Sequence, residues 1–270
     1  MIFGRFAVCS ALLGVGCGTE VASAPRRDLA PLVCTADAAT ENLPEPKPVA
    51  AIEDAGACPS EMILVDGSYC PKVQQVCKRW TDPPGTYHEY RCAEYAEPVT
   101  CLGARENKRF CIDREEFVKP GESLPLAHQS WTSAESVCKA RGARLCLESE
   151  WQFACEGEAM HPYPYEDGFK RDPTACNADR TDLGRPNAGL KDLRAPLDAF
   201  PNCVSPFGVH NMTGNVEEWA TLDHGHLPDR SAMKGAWWLP GKNFCRAVTV
   251  GHGEVYEGTQ MGIRCCKDAP

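Results

Sequence analysis

The sequence has no run of basic residues, and its 37 acidic side chains outnumber 28 lysines and arginines to leave a net charge of -9. Nucleic-acid binding, which needs clustered cations facing phosphate, is thereby excluded. The apolar run from Phe6 to Val15 is too short to cross a bilayer as a mature helix, which takes roughly 20 residues. No G-x-S-x-G, H-E-x-x-H or phosphate-loop pattern occurs, so the common serine-hydrolase, zinc-protease and nucleotide-binding signatures are missing. No repeat of solenoid or propeller period is present. From Gly18 to Ala57 there is no aromatic residue. That stretch, rich in Ala, Pro and acidic residues, buries too little to offset its ordering entropy and is expected to be a tether.

Cysteine is abundant, with 17 in 270 residues. In an oxidising compartment such cysteines pair and constrain the unfolded chain. Zinc is the competing use. It fits poorly, because no C-x-x-C pair recurs and the adjacent Cys265 and Cys266 do not easily chelate one ion. The N-terminus supplies a matching address. Arg5, the apolar run and Leu13-Gly14-Val15-Gly16-Cys17 read as a bacterial lipoprotein signal, with residues 1–17 as leader and Cys17 as the lipidated residue. Cleavage after Ala22-Ser23-Ala24 is the alternative, disfavoured by Pro25 just beyond it. Both readings export the chain. Cys34, inside the 18–57 tether, is a candidate odd thiol.

The folded domain is expected over residues 58–270. Met62 to Val65 reads as a buried strand, Asp66-Gly67 as a hairpin turn and Ser68 to Cys70 as its returning strand. Phe110 to Asp113 reads as a further core strand. A helix is expected from a capping box at Thr132, running through Ala134, Val137 and Cys138 to Gly142. A second starts at Glu148-Ser149-Glu150-Trp151, where acidic residues suit the helix dipole, and stops at Gly157. Beyond it, segments such as His161 to Tyr165 and Gly184 to Asn187 are too rich in proline and glycine for regular helix. Long irregular loops in a compact domain need staples.

Five blocks carry a resemblance. Arg144-Leu145-Cys146-Leu147-Glu148-Ser149-Glu150-Trp151 resembles R-L-P-T-E-x-E-W of the formylglycine-generating enzymes, or sulfatase-modifying factors. Ala195 to Pro201 resembles their A-P-V-x-x-F-P, and Gly208 to Trp219 resembles G-L-x-D-M-x-G-N-V-x-E-W. Lys234 to Trp238 and Met261 to Cys265 resemble K-G-G-S-W and the closing G-F-R-C. Their shared order implies an α+β, loop-rich, disulfide-stapled variant of the C-type lectin-like fold. By position it also implies the bridges Cys138–Cys265 and Cys155–Cys245. Of the other cysteines, Cys146 and Cys266 are candidates for a third bridge beside the first, and Cys176 with Cys203 is a further candidate.

The resemblance implies a structural calcium ion held by Asn211, Gly214, Val216 and Glu218, a hard-oxygen set in a closely spaced loop. Asn177 and Asp192 are weaker candidates for a second site. Against this stands a plain turn capped by Asn211 and Glu218. The enzymes' oxidase chemistry uses two neighbouring thiols on copper, a metal that favours soft ligands. Here Trp237 to Phe244 contains no cysteine, and Cys245 matches a structural one. His224 and His226, with Asp223, offer a metal site or else a solvent loop. Trp237, Trp238, Arg246 and His252 are candidate groove residues, with core packing as the alternative for the aromatics. The reading is thus a non-catalytic, exported, envelope-associated binding module for a peptide, glycan or protein. The alternatives are a metal-dependent oxidoreductase whose altered site is built from His224, His226 or His252, and a purely structural envelope lipoprotein.

Overall fold

The computed structural model describes residues 56–85, 88–181 and 190–270. The leader with Cys17, Cys34, all but two residues of the expected tether, and the Gly184 to Asn187 segment lie outside the described residues.

The first strand, β1 (Met62–Tyr69), runs unbroken through Asp66-Gly67. The expected hairpin is therefore corrected to a single strand. Five short strands follow: β2 (Val73–Gln74), β3 (Cys77–Trp80), β4 (Cys92–Tyr95), β5 (Thr100–Cys101) and β6 (Glu106–Asp113). The last decides the first, since all eight residues of β1 pair antiparallel with β6, Asp66 opposite Arg109 and Gly67 opposite Lys108. A full ladder outweighs the local turn preference of Asp-Gly. Phe110 to Asp113 is buried throughout, as a strand flanked on both edges should be.

Helix α1 spans Trp131–Ala140 and is capped by Ser130, not Thr132. Ser133 N donates to Ser130 Oγ at 3.1 Å and Ser130 N to Ser133 Oγ at 3.0 Å. The box thus begins two residues earlier than expected, which brings Trp131, Ala134 and Cys138 onto one buried face. Gly142, at φ +67°, closes the helix with its N–H on Lys139 O. After β7 (Arg144–Leu145), α2 covers Glu148–Glu156. Its Glu150 accepts from Leu147 N at 2.8 Å and pairs with Arg144 at 2.7 Å, satisfying an N-terminal donor. Gly157 ends it, as expected. A β-carbon there would lie 2.9 Å from Pro206.

Between Gly157 and Glu217 no helix or strand occurs among the described residues. Cys176–Cys203 staples this stretch, and Arg171 fixes it with two bonds to Asp179, at 2.8 and 2.7 Å. Five strands complete the domain: β8 (Glu217–His226), β9 (Asp229–Lys234), β10 (Val248–Thr249) and β11 (Met261–Gly262) in the second sheet, and β12 (Cys265–Asp268) in the first. The main sheets have the orders β1-β6-β12-β7 and β10-β9-β8-β11. The core has three parts. Val65, Phe110 and Ile112 pack with Trp151 and Phe153 of α2, and Trp131 and Cys138 of α1 pack with Trp219, Met233 and Met261. Tyr95, Tyr163 and Tyr165 form a third cluster under the loops.

All 14 described cysteines are bridged. Cys138 joins Cys265 and Cys155 joins Cys245, the pairs the resemblance implies, and Cys146 joins Cys266 and Cys176 joins Cys203, the two further candidates. Cys58–Cys111, Cys70–Cys101 and Cys77–Cys92 complete the set. Seven disulfides belong to an oxidising environment.

Candidate binding cleft

The loop Gly208 to Trp219 reaches β8 around a buried cation. Arg264 is wholly buried, and its Nη1 and Nη2 donate at 2.8 Å to the carbonyls of Asp113 and His210. Its Nε and Nη2 hold both oxygens of Glu218 at 2.8–3.0 Å, and Trp151 Nε1 donates to the same carboxylate at 2.6 Å. A carboxylate accepts about four hydrogen bonds, so these fill it. Asn211 donates from Nδ2 to Leu197 O at 3.1 Å. Within the set Asn211, Gly214, Val216 and Glu218, the carboxylate thus neutralises a guanidinium in this arrangement. Asp192 is paired with Arg194, whereas Asn177 gives Nδ2 to Leu193 O and Asn215 Oδ1 and keeps a buried Oδ1 without a hydrogen-bond partner. Burial raises the neighbouring Glu116 carboxyl to about 8; it accepts from Asn215 Nδ2 and Val216 N.

A cleft of about 890 Å³ opens where α2 begins. Tyr69, Pro71 and Glu106 form one side, and Glu148, Ser149 and Gln152 of α2 the floor. Leu222 to Leu227, at the end of β8, overhang it with Asp229, while Arg246 closes one end. The overhang has a specific origin. Thr221 pairs with Ser231 and His226 with Asp229, so Leu222 to Gly225 bulge out opposite Arg230 alone. Glycine is required at 225, since a β-carbon would lie 2.8 Å from Arg230 Cα and 3.0 Å from Asp229 O. The bulge carries Asp223 onto the start of α2, where Ser149 N donates to Asp223 Oδ2 at 2.9 Å.

Charges beneath the cleft are paired. Glu156 is fully buried and takes two bonds from Arg246, whose Nη2 also donates to Cys70 O at 2.6 Å. Burial lifts the Glu156 carboxyl to about 7 against the pull of Arg246. Lys234 Nζ lies 3.7 Å from Glu148 Oε1 and over the Trp151 ring, with no hydrogen-bond acceptor. Burial draws this ammonium down to about 8, while Glu148 opposes the shift.

Of the four expected groove residues, only Arg246 lines this cleft. Trp238 is core, and Trp237 packs against it at 5.0 Å. His252 packs against Tyr256 with the rings tilted and 4.3 Å apart, and its carbonyl accepts from Ser231 Oγ. His224 and His226 do enter the cleft, from a bulged strand rather than a solvent loop. Among the described residues no three His, Cys, Asp or Glu side chains converge as a metal site. Tyr69, Gln152 and the Glu106–Asp229 pair were not legible as site residues, because five separated segments contribute to the cleft and no motif spans them.

Comparison with known proteins adds the following. Residues 86–269 match the family described as the sulfatase-modifying factor enzyme 1-like domain. The mouse protein named inactive C-alpha-formylglycine-generating enzyme 2 is 30% identical over 155 residues, covering 54% of this chain and 50% of its own. The Bos taurus formylglycine-generating enzyme is 33% identical over 169 residues, covering 53% and 44%. The chain thus spans half or less of these relatives' length. The structure of PvdO from Pseudomonas aeruginosa shares the fold at a TM-score of 0.51 and 15% identity, over 79% of this chain and 95% of that one.

Proposed function

The chain belongs to the family of sulfatase-modifying factor enzyme 1-like domains, and on that premise we propose that it is an exported, non-catalytic binding module. One observation carries this reading. All 14 described cysteines are in disulfides, and Cys245 is the sole cysteine between Lys234 and Cys265. An oxidase working through a thiol pair on copper has no pair to use in this domain. The similarity to a protein named as inactive supports the same reading, and the similarity to a named enzyme keeps the catalytic alternative in the test. The disulfides support export, and Cys17 is proposed as the lipid-bearing residue that ties the domain to an envelope membrane. The partner is a peptide, glycan or protein of that space.

The test is to express the full chain with export and alkylate free thiols before digestion. Bound copper and iron are then measured, together with oxidation of a cysteine-containing peptide in air. Unalkylated, bridged cysteines from Cys58 onward, no stoichiometric transition metal and an unchanged peptide are expected. Peptide oxidation, or about one copper or iron per chain, would overturn the proposal.

A further inference from the structure

We propose that the cleft between α2 and the β8–β9 hairpin receives a neutral glycan, whose hydroxyl groups meet Tyr69 and Gln152 at its base. This rests on the binding-module reading and specifies its ligand.

These two residues carry polar groups that the protein leaves unmatched. Tyr69 and Gln152 are only 5% and 7% exposed, yet both line the cleft. Gln152 Nε2 donates to the Tyr69 hydroxyl at 2.7 Å. That bond uses one amide hydrogen and one lone pair of the hydroxyl. Among the described residues nothing accepts the Tyr69 O–H and nothing donates to Gln152 Oε1. Gln152 Oε1 is not sealed from solvent, so it opens on the cleft that its residue lines, with the Tyr69 hydroxyl held beside it. Buried side chains with part of their hydrogen bonding unmet call for a partner from outside.

The pairing sets the chemistry of that partner. A free acceptor beside a free donor is the complement of hydroxyl groups, each of which gives one hydrogen and accepts on two lone pairs. Neighbouring hydroxyls of a sugar ring satisfy both groups together. A peptide main chain is instead held along a strand edge. The strand over this cleft offers no straight edge, because Leu222 to Gly225 bulge out of the β8–β9 ladder. Recognition therefore falls to side chains.

Charge leads to the same class. Glu106 lies 4.0 Å from Lys108, and Glu148 lies 3.7 Å from Lys234. Asp223 accepts from Ser149 N, and Arg246 is bound by Glu156. Asp229 apart, the charged groups lining the cleft are met within the protein, so a ligand has hydrogen bonds to supply rather than a counter-charge. Pro71, Leu222 and Leu227 add apolar surface for the C–H faces of sugar rings. A volume of about 890 Å³ suits a short oligosaccharide.

The test titrates the exported full chain, labelled with nitrogen-15, with neutral hexasaccharides of glucose, mannose, galactose and N-acetylglucosamine. Hexa-lysine, hexa-glutamate and an alternating Gly-Ser hexapeptide are the comparison probes. At least one sugar should bind, shift the Gln152 side-chain amide resonance and keep its affinity between about 50 and 500 mM salt. Tyr69→Phe and Gln152→Met should each weaken that sugar about tenfold, with intact disulfides and cooperative melting verifying the fold. Should either variant fail to fold, the Gln152 resonance of the unaltered chain decides. No binding by any of the sugars, or binding that leaves Gln152 unshifted, would overturn the inference. A peptide that shifts Gln152 where no sugar does would overturn it while keeping the binding module. Oxidation of a peptide cysteine would strike at the module itself.

Discussion

Removing the bridges at Cys265 and Cys266 should reveal that each one shields the other. Cys138–Cys265 and Cys146–Cys266 close loops of 127 and 120 residues. Taken alone, the longer corresponds to about 5 kcal/mol of chain entropy removed from the unfolded state. With the other bridge intact, however, Cys138 and Cys265 are already connected through about nine residues, by way of Cys146 and Cys266. On the same relation that short circuit is worth about 2.5 kcal/mol, and the figure applies to either bridge. If both are absent, the second closure runs from Cys146 to Cys155, across to Cys245 and on to Cys266, about 30 residues in all. It is worth about 3.5 kcal/mol. Paired Cys→Ala substitutions should therefore cost about 2.5 kcal/mol singly and about 6 kcal/mol together, a coupling of about 1 kcal/mol. Loss of the buried sulfurs adds to each variant and cancels in the coupling. Urea unfolding under non-reducing conditions gives all four corners of the cycle. A cost near 5 kcal/mol for either bridge alone would refute the shared-circuit argument.

Three other outcomes are expected. Arg264→Met strands Glu218 in the core and should cost about 3–5 kcal/mol by urea midpoint; a loss below about 1 kcal/mol would contradict the buried pair. Burial raises Glu217 from 4.5 to about 7, so the folded state holds that proton more tightly than the unfolded one. Its contribution is complete below pH 4.5 and is lost as pH rises through about 7, with Glu156 acting in the same direction. Stability should fall between pH 5 and 7, and Glu217→Gln should flatten that fall; equal slopes would count against it. Chelation should leave the melting temperature unchanged, because Arg264 and Trp151 occupy the Glu218 carboxylate. A drop reversed by calcium would show that those contacts rearrange around an ion.

What could be foreseen from the residues divides along physical lines. α2 announced itself because its acidic first turn and its stop both lie within Glu148 to Gly157. The two bridges implied by the resemblance join segments identified by short blocks such as Met261 to Cys265. The unbroken β1 was not foreseen, because Asp-Gly favours a turn locally and only the ladder to β6, 43 residues away at Asp66–Arg109, overrules it. The start of α1 was placed late because Thr132 and Ser130 are both acceptable caps. Trp131 belongs in the core, and that selects Ser130. The cleft was the least legible part. Asp223, His224 and His226 were noticed as a loop, yet their placement follows from a bulge set by the register of β9. Nothing in the segment around Glu218 shows that Arg264, 46 positions later, binds its carboxylate.

β12 is the last strand in the chain, yet it lies inside the first sheet, between β6 and β7. Neither neighbour can complete its ladder until residues 265–268 arrive, and both long-range bridges to α1 and the start of α2 wait for the same strand. A chain threading through a translocon from its N-terminus would therefore emerge with this sheet open and two cysteines, Cys138 and Cys146, still without their partners. Its oxidative maturation would finish only after synthesis of the domain has ended, which makes the domain compatible with secretion as an unfolded polymer.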